Sequence, residues 1–238
     1  MIGGGQSGAE VVDYLLTMDD SIKNLIWVSK RINFHSLDDS CFANEFHSPT
    51  YLEYFYKLPN NADKFQLLKQ QLMTSDGITE SLANSIYNKI YNIKHVKNSS
   101  MSLTLIPDHK LNMVETNVNS SSKYHLTLID NQRNTNKVID ADVVILTTGY
   151  KPYLPNCIQD ILPYSVDKLI LNFDYSVNTN RFGDCKIFIQ NISKGVHGIS
   201  DPNLSLASFR NAMIINSILN YQLYNIDNQK SLVEFNFK

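Results

Sequence analysis

Apolar positions divide the chain into short segments that alternate between helical and extended patterns. Residues 9–16 carry apolar side chains at helical spacing, and residues 25–28 form a short apolar run typical of a buried strand. A helix is predicted from Thr79 to Tyr91, and a long one over about 204–224. We also predict a helix at 51–58, an ordered loop at 32–50, and strands at 101–106, 111–116, 123–130 and within 135–147. This alternation favours an α/β fold.

A glycine-rich pattern stands directly before the first predicted helix. Gly3, Gly5 and Gly8 follow the spacing G-x-G-x-x-G, with Gln6 and Ser7 between the last two. Glycines allow the backbone to turn sharply and approach a pyrophosphate, whose charge is then stabilised at the helix N-terminus. The pattern predicts a Rossmann-type dinucleotide-binding turn.

Lys30 and Arg31 follow the strand predicted after this helix. NAD-specific sites place an acidic residue near this point to bind the ribose hydroxyls, whereas cations suit a 2′-phosphate. The sequence therefore favours NADPH over NADH. The alternative interpretation is that both cations are solvated surface charges.

Only Met1 and Ile2 precede Gly3, although a Rossmann turn follows a strand of about five residues. We therefore expect an incomplete first strand and a chain that is the downstream part of a longer protein. A truncated gene product, a split enzyme with a separate partner chain, and an expressed part of a longer protein all remain open.

Four segments, taken together and in this order, resemble the lysine/ornithine N-monooxygenases of siderophore biosynthesis. The resemblance covers residues 2–215. Its segments are the glycine turn 3–10, an Asp-Asp-Ser-Cys-Phe-Ala-Asn-Glu loop at 38–45, Thr-Thr-Gly-Tyr at 147–150, and His-Gly-Ile-Ser-Asp-Pro-Asn-Leu-Ser-Leu at 197–206. Gly8 stands where Ala is commoner in the family.

The resemblance implies an NADPH- and FAD-dependent enzyme in which NADPH reduces FAD and oxygen then hydroxylates the terminal amine of the substrate. It implies a Rossmann-like NADPH domain at 1–146 and the C-terminal part of a split FAD-binding domain at 147–238. The Thr-Ser-Asp-Gly-Ile-Thr segment at 74–79 is similar to the lysine and diamine branch. Lysine or a related primary amine is therefore expected, rather than ornithine.

The same resemblance implies roles for individual residues. Asn44 matches the position that contacts the substrate amine and the nicotinamide, and it is our candidate catalytic and substrate-binding residue. Ser205 is a second substrate-binding candidate. The cofactor-binding candidates are Gly3, Gly5, Gln6, Ser7, Gly8, Lys30, Arg31, Gly149, Tyr150, His197, Gly198, Asn203 and Leu204. The alternative, purely structural roles are a turn residue for Asn44, packing for Tyr150, and helix capping for Asp201 and Ser205.

Composition excludes several other classes of protein. The formal net charge is −2, which argues against bulk nucleic-acid binding, and no apolar run is long enough to span a membrane. Cys41, Cys157 and Cys185 form no C-x-x-C pair, which argues against a zinc site, a disulfide framework or a dithiol reductase and fits a cytoplasmic protein. Asp38, Asp39 and Glu45 are expected to be hydrated loop acids rather than metal ligands.

The second FAD-binding glycine turn that the family carries is absent from this sequence. We therefore expect that the chain alone neither holds FAD tightly nor catalyses hydroxylation. Its expected partners are a small amine and O2, with a separate FAD-binding chain or a homo-oligomer as possibilities. A non-catalytic NADP(H)-binding remnant or subunit is the alternative function.

Overall fold

Two compact units make up the computed structural model, which describes residues 1–18, 21–59, 61–97, 99–116, 122–162, 169–177, 185–227 and 229–235. Unit 1 comprises residues 1–38 and 76–150, and unit 2 comprises residues 39–75 and 151–238. The expected boundary at 146 lies close to the end of unit 1. Residues 39–75, however, group with the C-terminal part of the chain, which a continuous domain at 1–146 did not anticipate.

Unit 1 contains the strands and two of the helices. Its elements are α1 (Gln6–Leu15), β1 (Asn24–Val28), α5 (Glu80–His95), β2 (Ser102–Ile106), β3 (His109–Thr116), β4 (Tyr124–Asp130) and β5 (Asn136–Ala141). Unit 2 contains α2 (Cys41–Asn44), α3 (Pro49–Lys57), α4 (Asn61–Gln70), α6 (Asn156–Gln159), α7 (Lys194–His197) and α8 (Ala207–Leu219). Short 3-10 turns at Leu16–Met18, Glu45–His47, Leu72–Thr74 and Leu204–Leu206 complete the described elements.

Parallel pairing organises the start of unit 1. Strands β1 and β2 pair in parallel from Asn24 opposite Ser102 to Val28 opposite Ile106. Ile2 forms parallel bridges to Val28 on one side and to Leu146 on the other. The expected first strand is therefore represented by residues 1–3, which lie between β1 and residues 145–147.

Helices α1 and α5 cover the apolar face of this parallel layer. Ala9, Val12, Trp27 and Ile86 are buried in one cluster with Ile93. The helices are also linked by Asp13, whose carboxylate accepts hydrogen bonds from Lys89 Nζ at 2.8 Å and Ser85 Oγ at 3.2 Å. The helical patterns at 9–16 and 79–91 are thus confirmed as the helices that bury this core.

A three-stranded antiparallel sheet, in the order β3-β4-β5, follows the parallel pair. Its strands confirm the patterns at 111–116 and 123–130. The Asn131–Thr135 connection is closed by Asp130, whose carboxylate accepts from the backbone N–H groups of Gln132 and Arg133 at 2.9 and 3.0 Å. These backbone donors lower the pKa of Asp130.

The strand predicted within 135–147 is shorter than expected. Strand β5 ends at Ala141, and the apolar run 143–146 pairs only through Leu146 opposite Ile2. Val143 and Leu146 are 71% and 56% exposed. A single bridge on one side does not continue a ladder, so apolar character alone was a misleading indication of a buried strand here.

Unit 2 differs from the sequence prediction at several of its helices. The expected loop at 32–50 contains α2, and α3 begins at Pro49 because the Ser48 side chain accepts from Tyr51 N as an N-cap. Helix α4 was not predicted, and only Lys64 is buried among its residues, so it lacks an apolar stripe. Helix α8 ends at Leu219, earlier than predicted, because Asn220 adopts a left-handed conformation with φ 55°.

Trp27 provides a test of how unit 1 holds the glycine turn. Its side chain is 3% exposed, and its indole N–H donates to the carbonyl oxygen of Gly3 at 2.7 Å. We expect Trp27→Phe to lower the free energy of unfolding by about 1–3 kcal/mol, because Gly3 O loses a buried donor and the core loses volume. Urea unfolding followed by circular dichroism measures this change.

The matched control for this substitution is Tyr14→Phe, since Tyr14 is 65% exposed. It should change the unfolding free energy by less than about 0.5 kcal/mol. Equal unfolding midpoints for Trp27→Phe and wild type would contradict the anchoring role.

Candidate functional site

The glycine turn is packed so closely that a Cβ atom at Gly3, Gly4 or Gly8 would overlap with a neighbour. Gly3 has φ +134°, and a Cβ atom there would overlap with the Thr147 backbone carbonyl and side chain. A Cβ at Gly4 would overlap with Ser29 Oγ. Thr147 is held in turn by Ile2, whose carbonyl accepts from Thr147 N at 2.8 Å and from Thr147 Oγ1 at 3.1 Å. The turn is thus a backbone surface wedged between β1 and residue 147.

Helix α1 starts from this turn with free donors. Its N-cap is Gly5, which has no side-chain capping bond, and the first helical hydrogen bond runs from Ala9 N to Gly5 O at 3.0 Å. The preceding amides of the first turn have no carbonyl one turn earlier within the helix. No protein atom lies within 4 Å of where a Gly5 Cβ would stand. The arrangement suits an anion that approaches the backbone closely.

Gln6 links this turn to α5. Its side-chain oxygen accepts from Thr79 N at 2.9 Å, and its side-chain nitrogen donates to Glu10 Oε1 at 3.0 Å. Ser7 is exposed beside it. Gln6 therefore orients the start of α1 in the absence of a ligand, while the hydroxyl of Ser7 faces solvent.

Lys30 and Arg31 are in different situations. Lys30 is exposed, and its backbone carbonyl accepts from Asn131 Nδ2 at 2.9 Å. Arg31 is partly buried, and its guanidinium donates to the carbonyl oxygen of Asp76. Arg31 is therefore fixed at the end of β1 with part of its donor fork already used, whereas the Lys30 side chain projects from the surface.

Gly149 and Tyr150 end unit 1. Gly149 has φ +83°, and no protein atom lies within 4 Å of a Cβ placed there. The side chain of Tyr150 is fully exposed. A packing role for Tyr150 is therefore wrong for unit 1 as described, and its aromatic face is free for other contacts.

Asn44 lies at the end of α2 in unit 2 and is exposed. Its side-chain nitrogen donates to Asp39 O at 3.1 Å. Among the residues that the structure describes, none donates to the Asn44 amide oxygen. This oxygen can accept a hydrogen bond from an amine. Asp38, Asp39 and Glu45 are not part of any metal-binding group in the described residues.

His197 is fully buried at the end of α7. Its Nδ1 lies 2.9 Å from Ser193 Oγ, and its Nε2 lies 3.1 Å from the carbonyl oxygen of Phe173. The ring stacks on Tyr175 at 4.0 Å between centroids with an interplanar angle of 11°. Burial lowers the pKa of the imidazolium. With both nitrogens occupied by protein atoms, the side chain does not reach a ligand.

The segment after His197 is fixed by backbone and side-chain bonds. Gly198 has φ +79°, and a Cβ there would lie 3.0 Å from the Phe55 ring. Asn203 caps the following 3-10 turn, because its side-chain oxygen accepts from Ser205 N at 2.9 Å. Leu204 is 83% exposed, and the hydroxyl of Ser205 is exposed beside it. This segment therefore offers one apolar and one hydroxyl side chain to an external ligand.

The expected capping by Asp201 and Ser205 is wrong. The cap is Asn203, and Asp201 is fully buried with its carboxylate accepting from Ser193 N at 2.8 Å and from Ser193 Oγ at 2.7 Å. The Asp201 carboxylate is directed at Ser193 in the interior of unit 2, so it is not available to the first amides of the following helix.

Comparisons with known proteins agree with this geometry. The family model described as L-lysine 6-monooxygenase/L-ornithine 5-monooxygenase matches residues 1–152. The chain belongs to this family. The resemblance seen in the sequence is thereby confirmed, as is the α/β fold class.

Two curated relatives match nearly the whole chain. L-lysine N6-monooxygenase of Escherichia coli is 30% identical over 99% of this chain and 56% of its own length. Putrescine N-hydroxylase of Acinetobacter baumannii is 32% identical over 99% of this chain and 52% of its own length. The chain therefore spans about half the length of these relatives.

Solved structures share the fold over a similar extent. A cadaverine monooxygenase from Erwinia amylovora, bound to FAD, matches with a TM-score of 0.84 at 24% identity over 98% of this chain and 53% of that one. An ornithine hydroxylase from Pseudomonas aeruginosa matches with a TM-score of 0.77 at 25% identity over 92% of this chain and 51% of that one.

Sequence patterns did not identify several residues that support the candidate site. Trp27 and Ser193 touch or position candidate residues but lie in none of the motifs. Ser193 had one usable signal, since it precedes His197 by four residues and so shares a helical face with it. Thr147 opens the Thr-Thr-Gly-Tyr segment, but its packing against Gly3 could not be predicted, because the two positions are 144 residues apart.

Glycines 5 and 8 form a matched pair for testing the turn. A Cβ at Gly8 would overlap with Gly3 O and lie 2.9 Å from Thr147 Oγ1, whereas the space at Gly5 is open. We expect Gly8→Ala to lower the unfolding free energy by about 1–3 kcal/mol through overpacking. Gly5→Ala should leave stability within about 0.5 kcal/mol of wild type, but weaken nucleotide binding. Chemical denaturation and nucleotide titration separate the two effects.

The opposite pattern would contradict this reading of the turn. If Gly5→Ala unfolded the chain and Gly8→Ala did not, the open space would lie at Gly8 and not at Gly5. If Gly5→Ala bound nucleotide like wild type, no ligand would approach the Gly5 backbone.

Proposed function

We propose that this chain carries the NADPH-binding site and the C-terminal substrate region of a flavin-dependent N-hydroxylating monooxygenase in siderophore biosynthesis. The uncapped start of α1 behind the Gly3–Gly8 turn, in a member of this family, is the observation that carries the proposal. The curated relatives include an L-lysine N6-monooxygenase and putrescine N-hydroxylases, and others are named for alcaligin and rhizobactin biosynthesis.

NADPH would be bound by unit 1, within the expected domain at 1–146. The residues present fit its pyrophosphate, because Gly5 leaves a space that a Cβ would fill and α1 offers free amides. Ser7 has an exposed hydroxyl for a further contact, and Gln6 orients the helix start. Lys30 and Arg31 would bind the 2′-phosphate. The carbonyl oxygen of Asp76 holds the Arg31 guanidinium, and the exposed Lys30 side chain would contact the phosphate from the surface.

FAD would be bound only in part by this chain. Gly149 offers backbone that a ligand can approach, and Tyr150 an exposed aromatic face. In unit 2, Leu204 is an exposed apolar side chain of the kind that a flat ring covers. FAD supplies the oxygen chemistry when bound; the chain binds, orients and excludes water. A second glycine-rich turn is not in this sequence, so a separate FAD-binding chain or a missing segment would complete the site.

Asn44 and Ser205 would position the amine in unit 2. The amine must be neutral to react as a nucleophile, so an acceptor that does not stabilise a positive charge strongly is suitable. The free amide oxygen of Asn44 is such an acceptor, and Ser205 has an exposed hydroxyl. His197 contributes no proton transfer to the substrate, because both ring nitrogens are bound to protein atoms. It would position Gly198 and the segment beyond it.

Lysine or a diamine is the substrate that we propose, rather than ornithine. The relatives named for lysine and putrescine are 30% and 32% identical, whereas a fungal L-ornithine N(5)-monooxygenase is 25% identical. The segment 74–79, which resembles the lysine and diamine branch, contains Gly77, where a Cβ would overlap with the Leu37 backbone. The co-substrate is O2.

We further propose that the enzyme works in the cytoplasm. Its three cysteines are free and exposed, which suits a reducing compartment. No helix in the described parts of the chain is long and apolar enough to cross a membrane.

One observation favours a second candidate function, a non-catalytic NADP(H)-binding remnant or subunit. The chain spans only about half of its relatives and lacks the second glycine turn. Thermal stabilisation by NADPH, with no added stabilisation by FAD and lysine together, would support this candidate.

Lys30 allows the nucleotide preference to be tested. We expect Lys30→Ala to weaken NADPH binding roughly tenfold while NADH binding stays unchanged, because only the 2′-phosphate loses a charge-assisted contact. Trp27 is the only tryptophan of the chain and lies at the turn, so energy transfer from its fluorescence to the reduced nicotinamide measures both affinities. The exposed Lys57, in unit 2, gives a control variant, Lys57→Ala. Equal losses for the two nucleotides would contradict a 2′-phosphate contact.

Turnover tests the reaction itself. With FAD, NADPH and lysine added, the isolated chain should form no hydroxylamine, because most of the flavin site lies outside it. A hybrid in which this chain replaces the matching half of the E. coli relative should hydroxylate lysine or a diamine, and Asn44→Ala should lower its kcat/KM roughly 10–100-fold.

Two results would overturn parts of this proposal. Robust lysine-dependent turnover by the isolated chain would refute the incomplete flavin site. A folded hybrid that binds FAD and NADPH but hydroxylates no amine would refute N-hydroxylation and favour the remnant.

A further inference from the structure

Unit 2 contains a buried chain of hydrogen bonds between three polar side chains. Asp201 Oδ1 lies 2.7 Å from Ser193 Oγ, which lies 2.9 Å from His197 Nδ1, and His197 Nε2 lies 3.1 Å from Phe173 O. Asp201 and His197 are fully buried, and Ser193 is 5% exposed. The three side chains are therefore shielded from bulk solvent.

The three hydrogen bonds between Asp201, Ser193, His197 and Phe173 O require a definite number of protons. Phe173 O can only accept, so Nε2 must carry a proton. Ser193 has one hydroxyl proton, which it can donate to Asp201 or to Nδ1 but not to both. If Ser193 donates to Asp201, then Nδ1 must carry a proton; if Ser193 donates to Nδ1, then Asp201 Oδ1 must carry one. Three complete hydrogen bonds therefore need one proton more than a carboxylate and a neutral imidazole contain.

We propose that the folded protein retains this extra proton on the Asp201–Ser193–His197 chain, and that Ser193 and Asp201 are thereby positioning residues for segment 198–205. In both arrangements the Asp201–His197 pair carries no net charge, and Arg210, which is 2% exposed, is the charged group beside it. The role in the reaction rests on the proposed function, whereas the retained proton does not.

Charged and aromatic side chains surround this pair. Burial lowers the pKa of the His197 imidazolium, as does the positive charge of Lys64 on α4, whereas the hydrogen bond to the Phe173 carbonyl and the charge of Asp201 raise it. Arg210 on α8 donates to the carbonyl oxygens of Asp201 and Asn203. Tyr175 and Tyr56 cover the imidazole with uncharged rings.

The chain of bonds fixes the segment that carries the candidate ligand contacts. Ser193 and Asp201 close a turn around His197, because the Asp201 carboxyl group is hydrogen-bonded to both the backbone N–H and the hydroxyl of Ser193. Asp201 N also donates to Gly198 O at 3.3 Å, and Asn203 N donates to Ser200 O at 3.0 Å. Leu204 and Ser205 follow directly, so their placement depends on this turn.

Asp201→Asn tests the proton without removing the hydrogen bonds. The new amide nitrogen can donate to Ser193 Oγ, Ser193 can donate to Nδ1, and the amide oxygen can accept from Ser193 N. All bonds then form with a neutral imidazole and no extra proton. This variant keeps the geometry of the turn and changes only the proton requirement.

The sign of the pH dependence follows from the unfolded chain. Its histidine titrates near pH 6.5, so above about this pH the unfolded pair no longer holds the proton that the folded pair keeps. Stability of the wild type should then fall as pH rises from 6.5 to 8.5, by roughly 5–9 °C in thermal midpoint relative to Asp201→Asn. The variant should show no such fall, because its folded and unfolded states both hold a neutral imidazole there.

Two further measurements separate positioning from general stability. Ser193→Ala removes the hydroxyl that links Asp201 to His197. It should speed hydrogen exchange at the amides of Asp201 and Asn203 roughly tenfold, while the amides of α1 and α5 are unchanged. In nitrogen-15 spectra of the wild type, the His197 ring, assigned through its contact with the Tyr175 ring, should keep its Nε2 proton and unchanged shifts from pH 5.5 to 8. These measurements use the chain without cofactor, so they stand even if the proposed function fails.

Parallel pH curves for wild type and Asp201→Asn would overturn the proposal. Titration of His197 near pH 6.5 in the wild-type spectra would do the same, including in the case where Asp201→Asn does not fold. Unchanged exchange at Asp201 and Asn203 in Ser193→Ala would refute the positioning role.

Discussion

Backbone hydrogen bonds on both sides of residues 1–3 determine where the glycine turn lies. Gly3 N donates to Val28 O at 2.9 Å and Val28 N donates to Met1 O at 2.9 Å, while Ile2 N donates to Ile145 O at 2.9 Å. These bonds place the turn between β1 and residue 147. Helix α1 starts directly after it, so the free amides of its first turn are directed by a segment of three residues. The core beneath α1 and α5 makes this placement rigid.

Side-chain volume imposes the second constraint on the turn. Ser29 fills the space beside Gly4, and Thr147 fills the space beside Gly3 and Gly8. The backbone can therefore stay close to a ligand at Gly5, where space remains open.

Local patterns predicted those parts of the fold that local interactions determine. The helical spacing at 9–16 and 79–91 and the strands β2, β3 and β4 followed from local patterns. Helices α1 and α5 and strand β4 bury an apolar face within unit 1, whereas Met113 and Val114 of β3 are exposed. The same reasoning was wrong for residues 143–146, whose apolar run is largely exposed, and it missed α4, which buries only Lys64. The placement of residues 39–75 in unit 2 could not be deduced, since long-range contacts decide it. The glycine turn was predictable from the spacing of its glycines, but its close packing against Thr147 was not.

The burial of His197 changes which chemistry unit 2 can provide. A histidine inside a motif attracts a catalytic interpretation, yet a ring whose two nitrogens bond to Ser193 and Phe173 has no free position for a substrate. The candidate substrate-binding residues of unit 2 are exposed and offer an amide oxygen on Asn44 and a hydroxyl on Ser205, neither of which titrates near neutral pH. In the proposed function, unit 2 would therefore accept and orient an amine that is already neutral, and would not itself remove a proton from it. The extra proton that we propose for the Asp201–Ser193–His197 hydrogen bonds stays within the protein, where it fixes the backbone before Leu204 and Ser205.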